Sequence, residues 1–415
     1  MKPPVFLLTV GLLGLWSCAE KPKSATGDVE LISYVDLTEK SSLQKGAKNY
    51  KPTMTDVVSE IRYIPLETTQ ESLIGNVSHV EVDSGLYFIS DQTQSKLLVF
   101  DSEGHFLNTI GRVGRGPGEY IYLYSYYLDR SRKEVGVLDN YERKTLIYNY
   151  EGKHLRDVEY PEEIFFPRAS FYSPDGVVLF HHPIPDGRDL KSEYEDQLLR
   201  ENDGKYDFVG NILKYRFKNP PGYGGISGLD RSFSYSNERL LLTSHFSNMI
   251  YTIRGDTIVP VYQVDTPKKL AEASFFNANE DKGYSELMMA MMRDQNPFSG
   301  ITNIIETPQY LYLELEYMTT GLWDKRSKTG VRFGWLYEEG IDAFISLTPL
   351  TSDGDRLIAF NQAFDFLNQR EAIEQGENDR LKELLRGLTE NSNPVISVYT
   401  LKTNAVESVI EAMKE

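Results

Sequence analysis

Six histidines, at 79, 105, 154, 181, 182 and 245, are the side chains of this 415-residue chain best suited to hold a metal or move a proton. With two aspartates, three of them make one constellation: Asp91, Asp139, His181, His182 and His245. Imidazole and carboxylate together suit a divalent cation. No regular ligand spacing links these positions, and His182-Pro183 reads equally well as a strand end. A second candidate is the glycine-rich run GRVGRGPGEY, residues 111–120. It lacks the Lys-Ser/Thr ending of a phosphate-binding loop, and no helical pattern follows it, so a Walker loop is excluded. Its glycines and Pro117 suit a tight crossing between elements, with Arg112 or Arg115 placed to lend a cation to an anionic ligand. Arg143 falls in a similar turn, DNYER. Four aromatic residues, Tyr120, Tyr141, Phe246 and Trp323, have flat faces suited to stacking on sugar rings. There is no G-x-S-x-G elbow and no paired-carboxylate motif, so no catalytic residue is assigned.

These residues lie far apart along the chain, and only a repetitive scaffold brings them together. Residues 86–120 set the pattern: short aromatic and β-branched runs cut by Gly, Asp and Ser clusters, the signature of strands and hairpins. A first unit has strands at 77–82, 86–90, 96–101 and 106–110. A second has them at 122–128, 134–139, 145–150 and 154–158. Phe100 and Tyr148 hold matching places 48 residues apart, each closely followed by an acidic-Gly turn, Glu103-Gly104 or Glu151-Gly152. A period of roughly 40–50 residues with four strands marks a propeller blade. A third unit starts at 167–180, is interrupted by a charged insertion at 183–205, and resumes at 206–217. The fourth runs through 232–236, 239–243, 248–254 and 257–264. The fifth uses 301–306, 310–317 and 331–337, with a loop at 319–329 that carries Trp323. The sixth uses 344–350, 356–360 and 394–401 and lacks an outer strand, which the solitary alternating run 60–66 supplies. The expected fold is all-β: a six-bladed β-propeller closed by an N-terminal strand, with helical insertions in the late blades at 268–293 and 365–388. Residues 406–414 predict a short amphipathic helix.

The formal net charge of -17 repels nucleic acid and anionic membrane surfaces. Residues 5–16 are apolar, too short to span a bilayer and the right length for a signal-peptide core. They end in Leu15-Trp16-Ser17-Cys18, similar to the lipobox of bacterial lipoproteins, and Cys18 is the one cysteine, without an intrachain disulfide partner. The expected organisation is a signal peptide at 1–17, a lipidated Cys18 opening a tether and N-terminal extension at 18–56, and the propeller at 57–415. The one strand-like run of that extension is 30–37. Ala19 is not an acidic retention signal, which favours the outer membrane of a Gram-negative envelope.

The chain resembles the six-bladed propeller lipoproteins of Bacteroidota, relatives of the NHL-repeat propellers. The residues that carry the likeness are Ile61-Arg62-Tyr63-Ile64-Pro65-Leu66-Glu67-Thr68-Thr69, Leu73-Ile74-Gly75, the spacing from Asp91 to Asp101 with Gly104, and Ile110-Gly111 followed by Gly114-Arg115-Gly116-Pro117-Gly118-Glu119-Tyr120. It covers most of the chain and is strongest over 60–152. It implies fold and location far more than activity. Propellers usually bind ligands on the face shared by the blade-to-blade crossings and the second-to-third strand turns. Asp91, Asp139, His181, His182, His245 and the 112–120 crossing are therefore expected around one channel mouth. Two functions follow. One is a membrane-anchored envelope module binding a glycan, peptide or protein partner without a cofactor. The other is a metal-assisted hydrolase or lyase on the same face.

Overall fold

The computed structural model describes residues 32–38 and 53–412, except 162–163, 165–166, 168, 174–175, 182–193, 203–204, 216–232, 237–238, 244–246, 272, 279–285, 287–288, 290–297, 299, 316–318 and 335–347. The described residues lie within one compact unit, Ile32–Glu415. They form six sheets, each a blade of four antiparallel strands ordered from the centre outward, and the four are consecutive in the chain in every blade but the sixth. Blade one is His79–Asp83, Leu86–Asp91, Lys96–Phe100 and Phe106–Thr109. Blade two is Ser125–Asp129, Glu134–Asp139, Lys144–Asn149 and His154–Glu159. Blade three is Ala169–Ser173, Gly176–His181, Tyr194–Asn202 and Lys205–Tyr215, and blade four is Phe233–Ser236, Arg239–Thr243, Met249–Arg254 and Thr257–Asp265. Blade five is Ile301–Glu306, Tyr310–Leu315, Thr320–Asp324 and Thr329–Phe333. Blade six takes Thr351–Asp353, Arg356–Asn361 and Val395–Leu401 from the C-terminal part and its outer strand, Val58–Pro65, from the N-terminal part.

The closing strand runs antiparallel to Val395–Leu401, with Ile61 opposite Tyr399 and Ile64 opposite Ile396. It is the strand that the isolated alternating run predicted. The ring is also closed by packing. Each blade buries apolar residues of one parity against the blade before it and of the other parity against the blade after it, as a period of two requires. Phe88 and Val99 meet Tyr126 and Val137 between blades one and two, whereas Ile89 and Leu98 meet Ile358 and Ile396 between blades one and six. Leu313 and Trp323 face blade four, and Tyr312 and Leu322 face blade six. All six neighbouring pairs of blades share such a cluster.

Two expectations need correction. The 319–329 segment is not a loop: Thr320–Asp324 is the third strand of blade five, with Trp323 opposite Leu311. Trp323 is 3% exposed and meets the ring of Tyr262 in blade four edge-on at 5.9 Å, so it is core and does not face a ligand. The turn-like residues Gly321 and Asp324 masked a strand whose partner lies ten residues upstream. Second, the charged 183–205 insertion contains the third strand of blade three, Tyr194–Asn202. Ser33–Asp36, within the strand-like run 30–37 of the N-terminal extension, adds a fifth, parallel strand to blade four, with Val35 opposite Val264.

The helical insertion of blade six joins its second and third strands as Ala363–Leu367, Arg370–Gln375 and Asp379–Gly387. The last of these is capped by Asn378, whose side chain accepts from the Leu381 N–H at 3.2 Å. Within 268–293 the structure describes one helix, Ala273–Ala278. The C-terminal helix, Ala405–Ala412, packs with Met54–Val57 beneath blades five and six. Among the described residues no helix is long and apolar enough to cross a membrane.

Candidate functional site

Asp91 and Asp139 end the second strands of blades one and two, and neither has exposed surface. Each carboxylate is filled by backbone. Asp91 accepts from the Gly75 N–H at 2.6 Å and the Gln94 N–H at 3.1 Å, and also from the Gln94 amide at 2.9 Å. Asp139 accepts from the N–H groups of Ile121 at 2.7 Å, Tyr141 at 3.0 Å and Glu142 at 3.4 Å. In both blades one side chain ties the incoming crossing to the turn that follows the second strand. The 48-residue repeat therefore carries a structural device, and the two aspartates expected to reach a ligand are spent on the chain itself. Arg143 lies in the same turn of blade two with φ 55°, and its guanidinium donates to the Pro161 carbonyl at 2.7 Å, holding the outgoing crossing.

The 111–120 crossing has the cradle shape of an anion site, but it holds its own anion. The Glu119 carboxylate accepts from the Gly116 N–H at 2.8 Å and from Arg112 Nε at 2.6 Å. A Cβ on Gly114 would lie 1.9 Å from that carboxylate, so the glycine is required by the approach. The Gly116 N–H and the Arg112 guanidinium hold the Glu119 carboxyl below the usual carboxylate range. Arg112 is thus paired within the loop, and Arg115 is exposed at its tip. The crossing rests on the outer half of blade two, where the Tyr148 hydroxyl donates to the Gly118 carbonyl at 3.0 Å. Tyr120 is fully buried and donates to the Ser95 carbonyl at 3.0 Å, so it offers no face to a sugar. Burial pushes its phenol up, and it stays protonated. Tyr141 is 63% exposed.

The mouth of the channel on this face is built by other residues. A pocket of ≈ 360 Å³ opens between blades one, two and three. His79, Ser90 and Gln92 line it from blade one, Tyr124 and Ser125 from blade two, and Phe171 from blade three. Gln92 is held in place by donating to the Tyr124 carbonyl at 2.8 Å. His79 meets the Tyr126 ring edge-on at 5.3 Å, and its Nε2 lies 3.5 Å from Glu81. Glu81 accepts from Arg130 at 2.5 Å, and the Arg130 guanidinium lies 4.3 Å above the Tyr235 ring of blade four. Burial pulls the Glu81 carboxyl upward, but Arg130 and His79 outweigh it and hold it below the usual range. Arg130 of blade two thus reaches both blade one and blade four. The groups at its mouth suit hydrogen bonding and stacking.

His181 ends the second strand of blade three, opposite Gln197. His182, His245 and Phe246 lie outside the described residues, as does Cys18. Among the described residues no three His, Cys, Asp or Glu side chains come together as a metal site.

Comparison with known proteins fits this architecture. A family model described as domain of unknown function DUF4934 matches residues 40–400. The chain belongs to this family. No curated protein matches the DUF4934 chain. Among solved structures, a protein of Bacteroides fragilis described as exported superposes with TM-score 0.66 at 18% identity, covering 89% of this chain and 100% of its own. A member of the DUF4221 family from Bacteroides vulgatus superposes with TM-score 0.49 at 12% identity, covering 83% of this chain and 97% of its own. At such identities the likeness of the first concerns the fold.

The mouth residues His79, Tyr124 and Phe171 carry no motif. The one available signal was position: each lies at or near the start of an innermost strand, at the channel.

Proposed function

We propose that this DUF4934 protein is a binding module of the cell envelope, tethered by lipidated Cys18, whose channel mouth receives a glycan, peptide or protein partner. The observation that carries the reading is the pocket between blades one, two and three. It is lined by polar groups and aromatic rings from three blades. A concave site with a few convergent polar groups is the default ligand site of a fold. The exported Bacteroides neighbour and the signal-like N-terminus support an extracytoplasmic location.

Glycan and peptide arrays probed with the protein test the reading. A hit is expected whose signal falls about tenfold in Gln92→Ala, in line with the loss of one hydrogen bond. Binding unaffected by both Gln92→Ala and Phe171→Ala would place the partner elsewhere. Cys18→Ala is expected to move the protein from the membrane fraction to the soluble fraction, and unchanged fractionation would refute the anchor.

A further inference from the structure

Ser33–Asp36 lies outside the propeller repeat. It pairs parallel with the outer strand of blade four, whereas the strands within a blade are antiparallel. Its side chains alternate as a half-buried strand requires: Tyr34 is 65% exposed, and Val35 and Leu37 have no exposed surface. The pairing continues one residue further, where the Leu37 N–H donates to the Asp265 carbonyl at 2.9 Å. At Thr38 the N–H and the hydroxyl turn back to the Asp36 carboxylate, at 2.9 and 2.6 Å.

Leu37 fills a hollow in blade five. Gly321, on the third strand, and Gly330, on the fourth, share the face of Trp323 that meets blade four. A Cβ on Gly321 would lie 2.7 Å from one Leu37 methyl, and a Cβ on Gly330 would lie 2.5 Å from the other and 2.8 Å from the Asp36 carbonyl oxygen. Glycine inside a strand weakens it and marks a close approach. Here two glycines on neighbouring strands make room for one leucine that the repeat itself does not supply. Blade four offers the edge of a sheet, and blade five offers the pocket. These are the two parts of a β-augmentation site, in which main-chain bonds give affinity and pockets for alternate side chains give specificity.

We propose that the groove between blades four and five is a strand-docking site that holds 33–37 of its own chain and accepts the same segment from a second copy, so that two copies pair by strand exchange. A second copy presents Val35 and Leu37 at the spacing the groove is shaped for, and the exchange makes the same contacts that it breaks. The stretch 39–52, which joins the segment to Thr53, spans about 45 Å when extended, enough to deliver the strand to an adjoining ring. Neither the channel mouth nor the lipid anchor enters this inference.

Two full-length variants test it. Leu37→Asp puts a charge into the hollow, so that its own strand leaves and its groove stands empty. Gly330→Ala crowds the hollow, so that its groove is blocked and its strand is free. Each alone is expected to sediment as a monomer in analytical ultracentrifugation, and an equimolar mixture to form a one-to-one pair. A fluorescent peptide of residues 30–40 is expected to bind the Leu37→Asp chain and to dissociate the mixed pair. It should bind the parent, and the Leu37→Asp chain that also carries Gly330→Ala, about tenfold more weakly. If Leu37→Asp loses its cooperative melt, Leu37→Ala, which empties the hollow without a buried charge, takes its place. No pair in the mixture, a pair that survives excess peptide, or peptide binding that Gly330→Ala leaves unchanged would each overturn the proposal.

Discussion

Asp139 accepts three backbone N–H groups from two segments of chain, and none of its surface is exposed. A carboxylate in that position does more for the fold than for a ligand, because truncating it leaves buried donors without acceptors. Asp139→Ala is expected to lower stability by roughly 2–4 kcal/mol in urea denaturation, and a wild-type midpoint would show that the bonds contribute nothing. Glu119 shows the same economy at the surface, where an arginine and a glycine-rich backbone that together suit an anionic ligand are met by the loop's own carboxylate. Glu306 extends it to the core: its carboxylate, 1% exposed as a residue, gathers Arg239, Tyr262 and Lys325 at 2.6, 2.6 and 3.0 Å, joining blades four and five. In each case the charge is answered within the protein.

The acidic-Gly turns are the elements through which successive blades meet. Gly104 has φ 89°, and a Cβ there would lie 2.4 Å from the carbonyl oxygen of Pro65, in the closing strand. Position 104 therefore needs both a left-handed backbone and bare space. Gly354, in the first turn of blade six, has φ 58° and nothing within 4 Å of a Cβ. Gly354→Ala is expected to cost about 1 kcal/mol from backbone strain alone, and Gly104→Ala roughly twice that or more. Thermal melts of the two variants measure the difference. Equal shifts would mean that the turn does not press on the closing strand.

At the scale of the ring, stability depends on a strand from the other end of the chain. Without Val58–Pro65 the Val395–Leu401 strand becomes an open edge, and Ile64 leaves the cluster between blades six and one. Exposed edges template association. A chain lacking residues 1–65 is expected to elute as aggregates in size-exclusion chromatography, whereas one lacking residues 1–31 should elute as the parent does. A monomeric, cooperatively melting chain without residues 1–65 would show that the ring holds without this closure. The mouth pocket belongs to this scale too, since blades one, two and three each supply part of its wall.

Strand after strand, the architecture was readable from local pattern. The alternation within 86–110 and 134–158, the Gly104 and Gly152 turns, the solitary run that closes blade six and the helices inserted there all depend on neighbours within a few residues or on a repeat of 48. These are properties that a period of two and turn chemistry impose directly. Tertiary structure alone decided what the polar residues do. Asp91 and Asp139 look like ligands until the N–H groups of Gly75 and Ile121, from the crossings that enter their blades, are seen to fill them. Trp323 looks like a loop aromatic until Leu311 and Tyr262 enclose it. His79 and Phe171, 92 residues apart, share a pocket only because the ring brings the inner strands of three blades to one axis. A buried polar group is assigned by the partner that satisfies it, and that partner is set by the closure of the ring rather than by its neighbours in sequence.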